Sequence, residues 1–201
     1  MYVALGENNN ILASKIVETT KSNYHSAFLI STIKDILKEN NLTPKDIDVI
    51  ATNIGPGSFT GIRACTTVAR VFAQGNKIKT VGISSLEILS KIAPQTKTLV
   101  ALDARKEMAY AAIFEDEKEI LAPKAIPIEE LKEIIEKENY FIVTDDKLEP
   151  ILGGISYQKR DDDLGEYLIQ IATKKINTDF NTDWRKLLPL YIQPPAIMNK
   201  K

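Results

Sequence analysis

The sequence carries a single histidine, a single cysteine and a single tryptophan. With only His25 and Cys65 of the soft ligands, no zinc site of the usual four-ligand type can form. A Ser-His-Asp triad would have to use His25, which sits in a helical pattern. Cys65 alone excludes an intrachain disulfide and fits a reducing compartment. It falls on the apolar side of its own helical pattern and reads as a packing residue rather than a nucleophile. Apolar runs stay far below the roughly 18 residues that a membrane span needs, and no signal-peptide pattern opens the chain. The expectation is a cytoplasmic protein with no membrane partner. Neither sign of charge dominates: the formal net charge is −1. Residues 1–100 hold 11 basic and 7 acidic side chains, and residues 101–201 hold 15 and 20. Such an imbalance is too small to mark a nucleic-acid surface.

What is present is an ordinary soluble composition, 44% hydrophobic and 26% charged over 201 residues. That suits one large domain or two small ones with a sizeable core. The pattern along the chain is α/β. Residues 2–5 and 11–17 alternate as strands around a Gly6–Asn10 turn. A helix is expected over 23–40, a strand over 46–53, a helix from 59 to about 75 and a short buried strand over 78–82. Ser84 or Ser85 caps a helix running to about 92. After Pro94–Lys97 the plan starts again, with strands over 99–104, 108–114 and 120–126, a helix from 127 to about 138 and a strand over 140–144. The acidic run Asp161-Asp162-Asp163 leads a last helix to about 175 and suits its N-terminus electrostatically. The chain therefore divides into domains 1–97 and 98–201, each a strand hairpin followed by α/β units.

Residues 54–63, Ile-Gly-Pro-Gly-Ser-Phe-Thr-Gly-Ile-Arg, form the densest motif. A glycine-rich turn between a strand and a helix can place backbone N–H groups around an anion. It is neither a P-loop, since no Lys-Ser/Thr follows, nor the dinucleotide fingerprint, since the glycine spacing differs. Most such turns are structural. Gly55, Gly57 and Gly61 set the turn, with Ser58 or Thr60 as the helix cap.

Both flanking helices carry apolar or aromatic residues beyond one core stripe. In the first, Leu29, Ile30, Ile33, Ile36 and Leu37 make the core face, while Tyr24, Ala27 and Phe28 lie opposite beside Ser31. In the second, Ala64, Cys65, Val68, Val71 and Phe72 face the core. Phe59, Arg63, Thr66, Thr67, Arg70 and Gln74 lie opposite. A cluster of this kind reads either as a partner surface or as a face covered by a loop of the same chain.

The string GPGSFTGIR, followed by Val81-Gly82-Ile83-Ser84-Ser85-Leu86-Glu87, resembles the TsaB (YeaZ) family. Tyr24-His25-Ser26, Leu42-Thr43-Pro44-Lys45-Asp46-Ile47-Asp48, Leu102-Asp103-Ala104-Arg105 and Pro189-Leu190-Tyr191 follow the same order. The resemblance implies an actin-like ATPase (ribonuclease H-like) fold of two small α/β domains. It implies a non-catalytic subunit supporting a TsaD-type transferase, which forms N6-threonylcarbamoyladenosine at position 37 of tRNAs reading codons that start with adenine. A TsaE-type ATPase acts with this pair, and tRNA is met only through the complex. The partner interface would be carried by Tyr24, His25, Phe28, Ser31, Thr32, Phe59, Arg63, Thr67 and Arg70, and the same surface can form homodimers. No intrinsic cofactor is implied, with ATP or ADP at a subunit junction as the only nucleotide.

The resemblance also marks departures. TsaD-like catalysts carry paired histidines on a helix, and this chain has no such pair. Family members begin with a strand ending in Asp-Thr-Ser, ahead of the strand at Tyr2–Leu5. The first strand of domain one is therefore missing here, by truncation of the chain or in this member itself. Asp103 is the corresponding acid of the second half and the candidate nucleotide-proximal residue; the alternative is a turn residue acting with Arg105. The rival function is an actin-fold ATPase or small-molecule kinase. It would need an early acid and a second phosphate loop, for which Gly153-Gly154 is a weak candidate.

Overall fold

The computed structural model of the chain describes residues 2–16, 25–93, 97–178 and 183–193. In chain order the elements are β1 (Tyr2–Glu7), β2 (Asn10–Ile16), α1 (His25–Glu39), β3 (Val49–Gly55), α2 (Phe59–Asn76), β4 (Lys79–Ser84) and α3 (Ser85–Ser90). Then follow β5 (Thr98–Asp103), β6 (Met108–Glu115), β7 (Lys118–Pro127), α4 (Ile128–Lys137), β8 (Phe141–Thr144), α5 (Glu149–Leu152), β9 (Ile155–Ser156) and α6 (Leu164–Ile176). Short 3-10 turns at Pro44–Asp46, Tyr157–Lys159 and Trp184–Lys186 complete the set.

These elements form two compact units. The first contains residues 1–88 and 163–189, the second residues 89–162 and 190–201. This differs from a single cut at 97/98. The chain leaves the first unit after Ile88, returns at Asp163 and leaves again after Pro189, so α6 belongs with the N-terminal elements.

In the first unit, β1 and β2 make an antiparallel hairpin. Its turn residues Asn8 and Asn9 hold φ of 49° and 71°, a region that asparagine tolerates and two-residue hairpins require. β3 and β4 pair in parallel, with α2 as the crossover. The helix α6 covers one face of both ribbons. Its Ile171 and Ala172 pack with Val81, Ile83 and Ile88, flanked by Val49 and Ala51. Gly165 of α6 meets Ala4 of β1, and Ile169 meets Gly6. Strand alternation gives the other face to α1 and α2. There α1 packs on β1 and β2, α2 packs on β3 and β4, and the two helices pack on each other. Asp163 starts α6 by accepting the N–H groups of Gly165 and Glu166. The acidic run before α6 thus supplies a cap, as its position at a helix start suggests.

The second unit is one five-stranded sheet in the order β7-β6-β5-β8-β9. β5 lies at its centre, antiparallel to β6 and parallel to β8. Thr98 to Leu102 are all buried, as expected for a strand covered on both faces. Leu99 and Ala101 join Ala109, Ala111, Ile113 and Ile126 of the sheet in a core with Leu131, Leu148 and Leu152.

The two units repeat one plan. Hairpin, helix, strand, helix, strand describes both β1-β2-α1-β3-α2-β4 and β6-β7-α4-β8-α5-β9. Among the described residues only the second unit has a strand, β5, ahead of its hairpin, and the strands of the first unit pair as two separate ribbons. No described helix is long and apolar enough to cross a membrane.

Candidate functional site

The glycine-rich segment is the turn from β3 into α2. Gly55 holds φ of 103° and the Gly55–Pro56 bond is cis; a side chain at Gly55 would be strained at that φ. The N–H of Gly55 donates to Asn53 Oδ1 at 2.7 Å, and Ser85 Oγ donates to the same oxygen at 2.9 Å. Asn53 therefore ties the turn to the start of α3. Ser58 is the helix cap: its Oγ accepts from Gly61 N at 3.3 Å, and its carbonyl accepts from Ile62 N. Thr60 lies exposed in the first turn of α2. Backbone donors of Gly55 and Gly61 thus serve the turn itself, and Gly57 and Ser58 are exposed beside them.

The outer side of α2 presents Phe59, Arg63 and Thr67, all exposed. The Arg63 guanidinium lies 5.1 Å from the centre of the Phe59 ring, a cation–π distance that holds the pair as one amphipathic patch. Arg70 is half-buried, 5.9 Å from the ring centre of Trp184, with Arg185 5.1 Å from the same ring. Trp184 was not singled out in the sequence, and its short 3-10 turn anchors Arg70 within the unit. The core stripe of α2 also differs from the expected one. Thr66, Ala69 and Ala73 are buried, while Val71 is 65% exposed. Small residues occupy the contact because they let α2 approach the strands closely, and Val71 joins the outer face.

The first helix shows a parallel shift. Leu29, Ile36 and Leu37 are buried as expected, but Ile30 is 65% exposed. Phe28 is 43% exposed and Ser31 is exposed. Thr32, expected on the partner face, is instead buried, with its hydroxyl donating to the Phe28 carbonyl at 2.7 Å. That local bond satisfies the hydroxyl and lets a threonine enter the core side. Tyr24 lies outside the described residues, and His25 forms the first residue of α1. The exposed residues are therefore Phe28, Ile30 and Ser31 on α1, with Phe28 and Ile30 on different sides of the helix, and Phe59, Arg63, Thr67 and Val71 on α2.

Cys65 is partly buried in α2, and burial pushes its thiol pKa up. A raised thiol is a poor nucleophile at neutral pH.

Asp103 closes β5 in the second unit. Its Oδ2 accepts from Lys147 Nζ at 2.6 Å and its Oδ1 from Arg105 N at 2.9 Å. The Lys147 ammonium, with the turn N–H, holds the carboxyl below its ordinary range. Asp145, at the end of β8, accepts from Asp103 N at 2.7 Å and from the N–H groups of Lys147 and Leu148. The geometry gives Asp103 the work of a turn anchor between two adjacent strand ends. Among the described residues no set of three His, Cys, Asp or Glu side chains could hold a metal ion.

Comparison with known proteins agrees with this architecture. The family model described as "TsaD: tRNA N6-adenosine threonylcarbamoyltransferase" matches residues 9–137. The tRNA threonylcarbamoyladenosine biosynthesis protein TsaB of Bacillus subtilis is 28% identical over 115 residues, covering 56% of this chain and 49% of the relative. The Escherichia coli protein of the same name is 32% identical over 95 residues, covering 45% and 41%. The chain thus spans about half the length of the curated relatives it matches. Among solved structures, a Pseudomonas aeruginosa protein described as uncharacterized with similarity to peptidase YEAZ superposes with a TM-score of 0.75. It is 20% identical and covers 96% of this chain and 94% of its own. YeaZ from Pseudomonas aeruginosa gives 0.72 at 21% identity, covering 94% and 93%. At such identities these superpositions establish the fold.

Proposed function

The chain belongs to the TsaD family, tRNA N6-adenosine threonylcarbamoyltransferase, and is similar to proteins named TsaB, and from that we propose that it is a non-catalytic subunit in the making of tRNA N6-threonylcarbamoyladenosine. Its task is to bind and support a TsaD-type catalytic subunit, with a TsaE-type ATPase acting on the pair and tRNA met through the assembly. The observation that carries this reading is the exposure of large apolar side chains on α1 and α2, two helices that pack on each other. Phe28 and Ile30 are exposed on α1, and Phe59 and Val71 on α2. Single exposed apolar residues are ordinary, and four on one helix pair favour a contact surface that includes one side of each helix. Arg63 over Phe59 adds the residue pair that often dominates such contacts.

The chemistry elsewhere favours support over catalysis. The thiol of Cys65 is raised by burial. The carboxylate of Asp103 is spent on Lys147 and its own turn. Donors of the glycine turn serve the helix start.

The test pairs binding with pathway. Phe28→Asp and Phe59→Asp are each expected to weaken association with the TsaD homologue at least about tenfold, or about 1.4 kcal/mol, with native circular dichroism retained. Cells depleted of the protein should lose threonylcarbamoyladenosine from their tRNA by nucleoside mass spectrometry and regain it with the wild-type gene. Wild-type affinity in both folded variants would remove the interface. An unchanged nucleoside level under verified depletion would remove the pathway.

A further inference from the structure

The three arginines of the first unit all lie over aromatic rings. Arg63 sits over Phe59, and Arg70 and Arg185 share the indole of Trp184. The turn that carries Trp184 and Arg185 is itself fixed. Asp183 caps it by accepting the Arg185 N–H at 2.9 Å, and the turn packs on α2. Buried Leu187 follows, so close to β4 that a Cβ at Gly82 would meet its Cδ1 at 3.0 Å. An aromatic ring holds a guanidinium through its quadrupole and leaves both the charge and the N–H donors unspent. A carboxylate in the same place cancels the charge, as Asp162 does for Arg160 in the second unit.

Acids are scarce around these arginines. Of the described α-helices, α2 alone holds no Asp or Glu. Residues 59–77 and 183–187 together hold five cations, Arg63, Arg70, Lys77, Arg185 and Lys186, against one carboxylate, Asp183. That carboxylate lies 3.4 Å from Arg185 Nη1 in an exposed pair, an interaction of little strength in water. Arg63 and Arg70, seven residues apart, lie on one side of α2 at a rise of about 10 Å. Exposed Lys77 closes the helix, and exposed Lys186 stands beside Arg185.

We propose that Arg70, Arg185 and Lys186 around Trp184, with Arg63 and Lys77 to either side, bind the phosphate backbone of a folded RNA. Cations spread along a helix and an adjoining turn match a chain of phosphates rather than one small anion. Arginines already held by rings lose little side-chain freedom on binding, and their planar forks suit phosphate oxygens. Such contacts position an RNA and carry little sequence preference. The inference rests on the functional reading for one point, the choice of RNA as the polyanion. It goes beyond that reading by giving this chain a contact of its own with the RNA. Arg63 also belongs to the contact surface on α1 and α2, so Arg70 and Arg185 are the deciding residues.

The probe is end-labelled, unfractionated bacterial tRNA, titrated with the full chain at about 50 mM salt and read by fluorescence anisotropy. Wild type should bind saturably. The double variant Arg70→Gln/Arg185→Gln, of native circular dichroism, should bind at least about tenfold more weakly, with a salt slope smaller by about 1–2. Lys124→Gln/Lys137→Gln, the same charge change in the second unit, should stay within about twofold of wild type. Association of the Arg70/Arg185 variant with the TsaD homologue should be unchanged. No saturable binding by wild type up to about 100 μM would overturn the proposal. So would wild-type RNA affinity in the arginine variant, or an equal loss in the lysine variant. Polyglutamate that displaces the label as well as unlabelled tRNA does would make the surface one for acidic protein and overturn it too. Each of these failures leaves the helix-face reading standing, because Phe28→Asp and Phe59→Asp test that reading without RNA.

Discussion

Asp103 shows how a residue that sequence context marks as chemical is used for architecture. Its carboxylate holds Lys147 at 2.6 Å and the Arg105 amide at 2.9 Å, and its own amide is held by Asp145. The folded state therefore prefers the ionised acid, and its pKa lies below the ordinary value. A carboxyl with a lower pKa in the folded than in the unfolded chain stabilises at pH above about 3.9. That stability is lost as pH falls through the folded value. Lys147 is largely solvent-exposed, so the pair contributes about 0.5–1 kcal/mol and no more. Asp103→Asn is expected to lower stability in urea unfolding by that amount at pH 7, and the gap to wild type should narrow as pH falls below the ordinary carboxylate value of about 3.9. A gap that stays the same size through acid pH would mean that charge is not what Asp103 contributes. Its position at the strand end was legible in the sequence. Its partners were not, because Lys147 and Asp145 come from the end of β8, more than forty positions away.

At the scale of elements, α6 depends on having no side chain at Gly165. A Cβ there would lie 2.8 Å from the Ala4 Cβ and 2.9 Å from Asp163 Oδ1. Alanine would gain up to about 1 kcal/mol in helix propensity, less at a helix start, but it would push α6 off β1 and disturb its cap. Overpacking of this kind costs about 1–3 kcal/mol. The net expectation is a destabilised Gly165→Ala protein, by about 1–2 kcal/mol in denaturant unfolding; an unchanged or higher midpoint would show that α6 can slide without loss. The element list was largely readable from the sequence. The first hairpin was marked by alternation and an asparagine turn, the strands of the second half by apolar runs around charged turns, and the helices by periodicity and caps. The docking of α6 was not readable, since an amphipathic helix reports that it covers a sheet and not which one. The periodicity reading of α1 and α2 missed at Ile30, Val71 and Thr66, because hydropathy ranks large side chains as core whereas close helix–strand contact selects small ones, Thr66, Ala69 and Ala73. Thr32, put on the partner face by the resemblance, is buried because a threonine can bond its own helix. The short α5, β9 and the Trp184 turn were missed because segments this brief carry no period to detect.

The whole molecule sets two versions of one plan in a single chain, and their difference has a measurable consequence. In the second unit β5 lies between two ladders over Thr98–Ala101, and its side chains are buried from Thr98 to Leu102. In the first, β1 and β3 are each laddered on one edge, and no residue of β1 is buried. Protection against hydrogen exchange follows the free energy of local opening, which rises with buried contacts and paired backbone. The amides of residues 99–102 should therefore exchange at the slowest rates in the chain. Those of residues 3–5 and 50–54 should exchange at least about a hundredfold faster in the isolated protein, which corresponds to a difference of about 2.7 kcal/mol in opening free energy. Residues 80–83 should fall between, because β4 has one ladder but lies under α6 with Val81 and Ile83 fully buried. Equal protection of β3 and β5 would mean that pairing on one edge is not what sets the opening of β3. The predicted order would make the first unit the less stable part of the molecule. It would then be the part with most to gain from a partner on its helices.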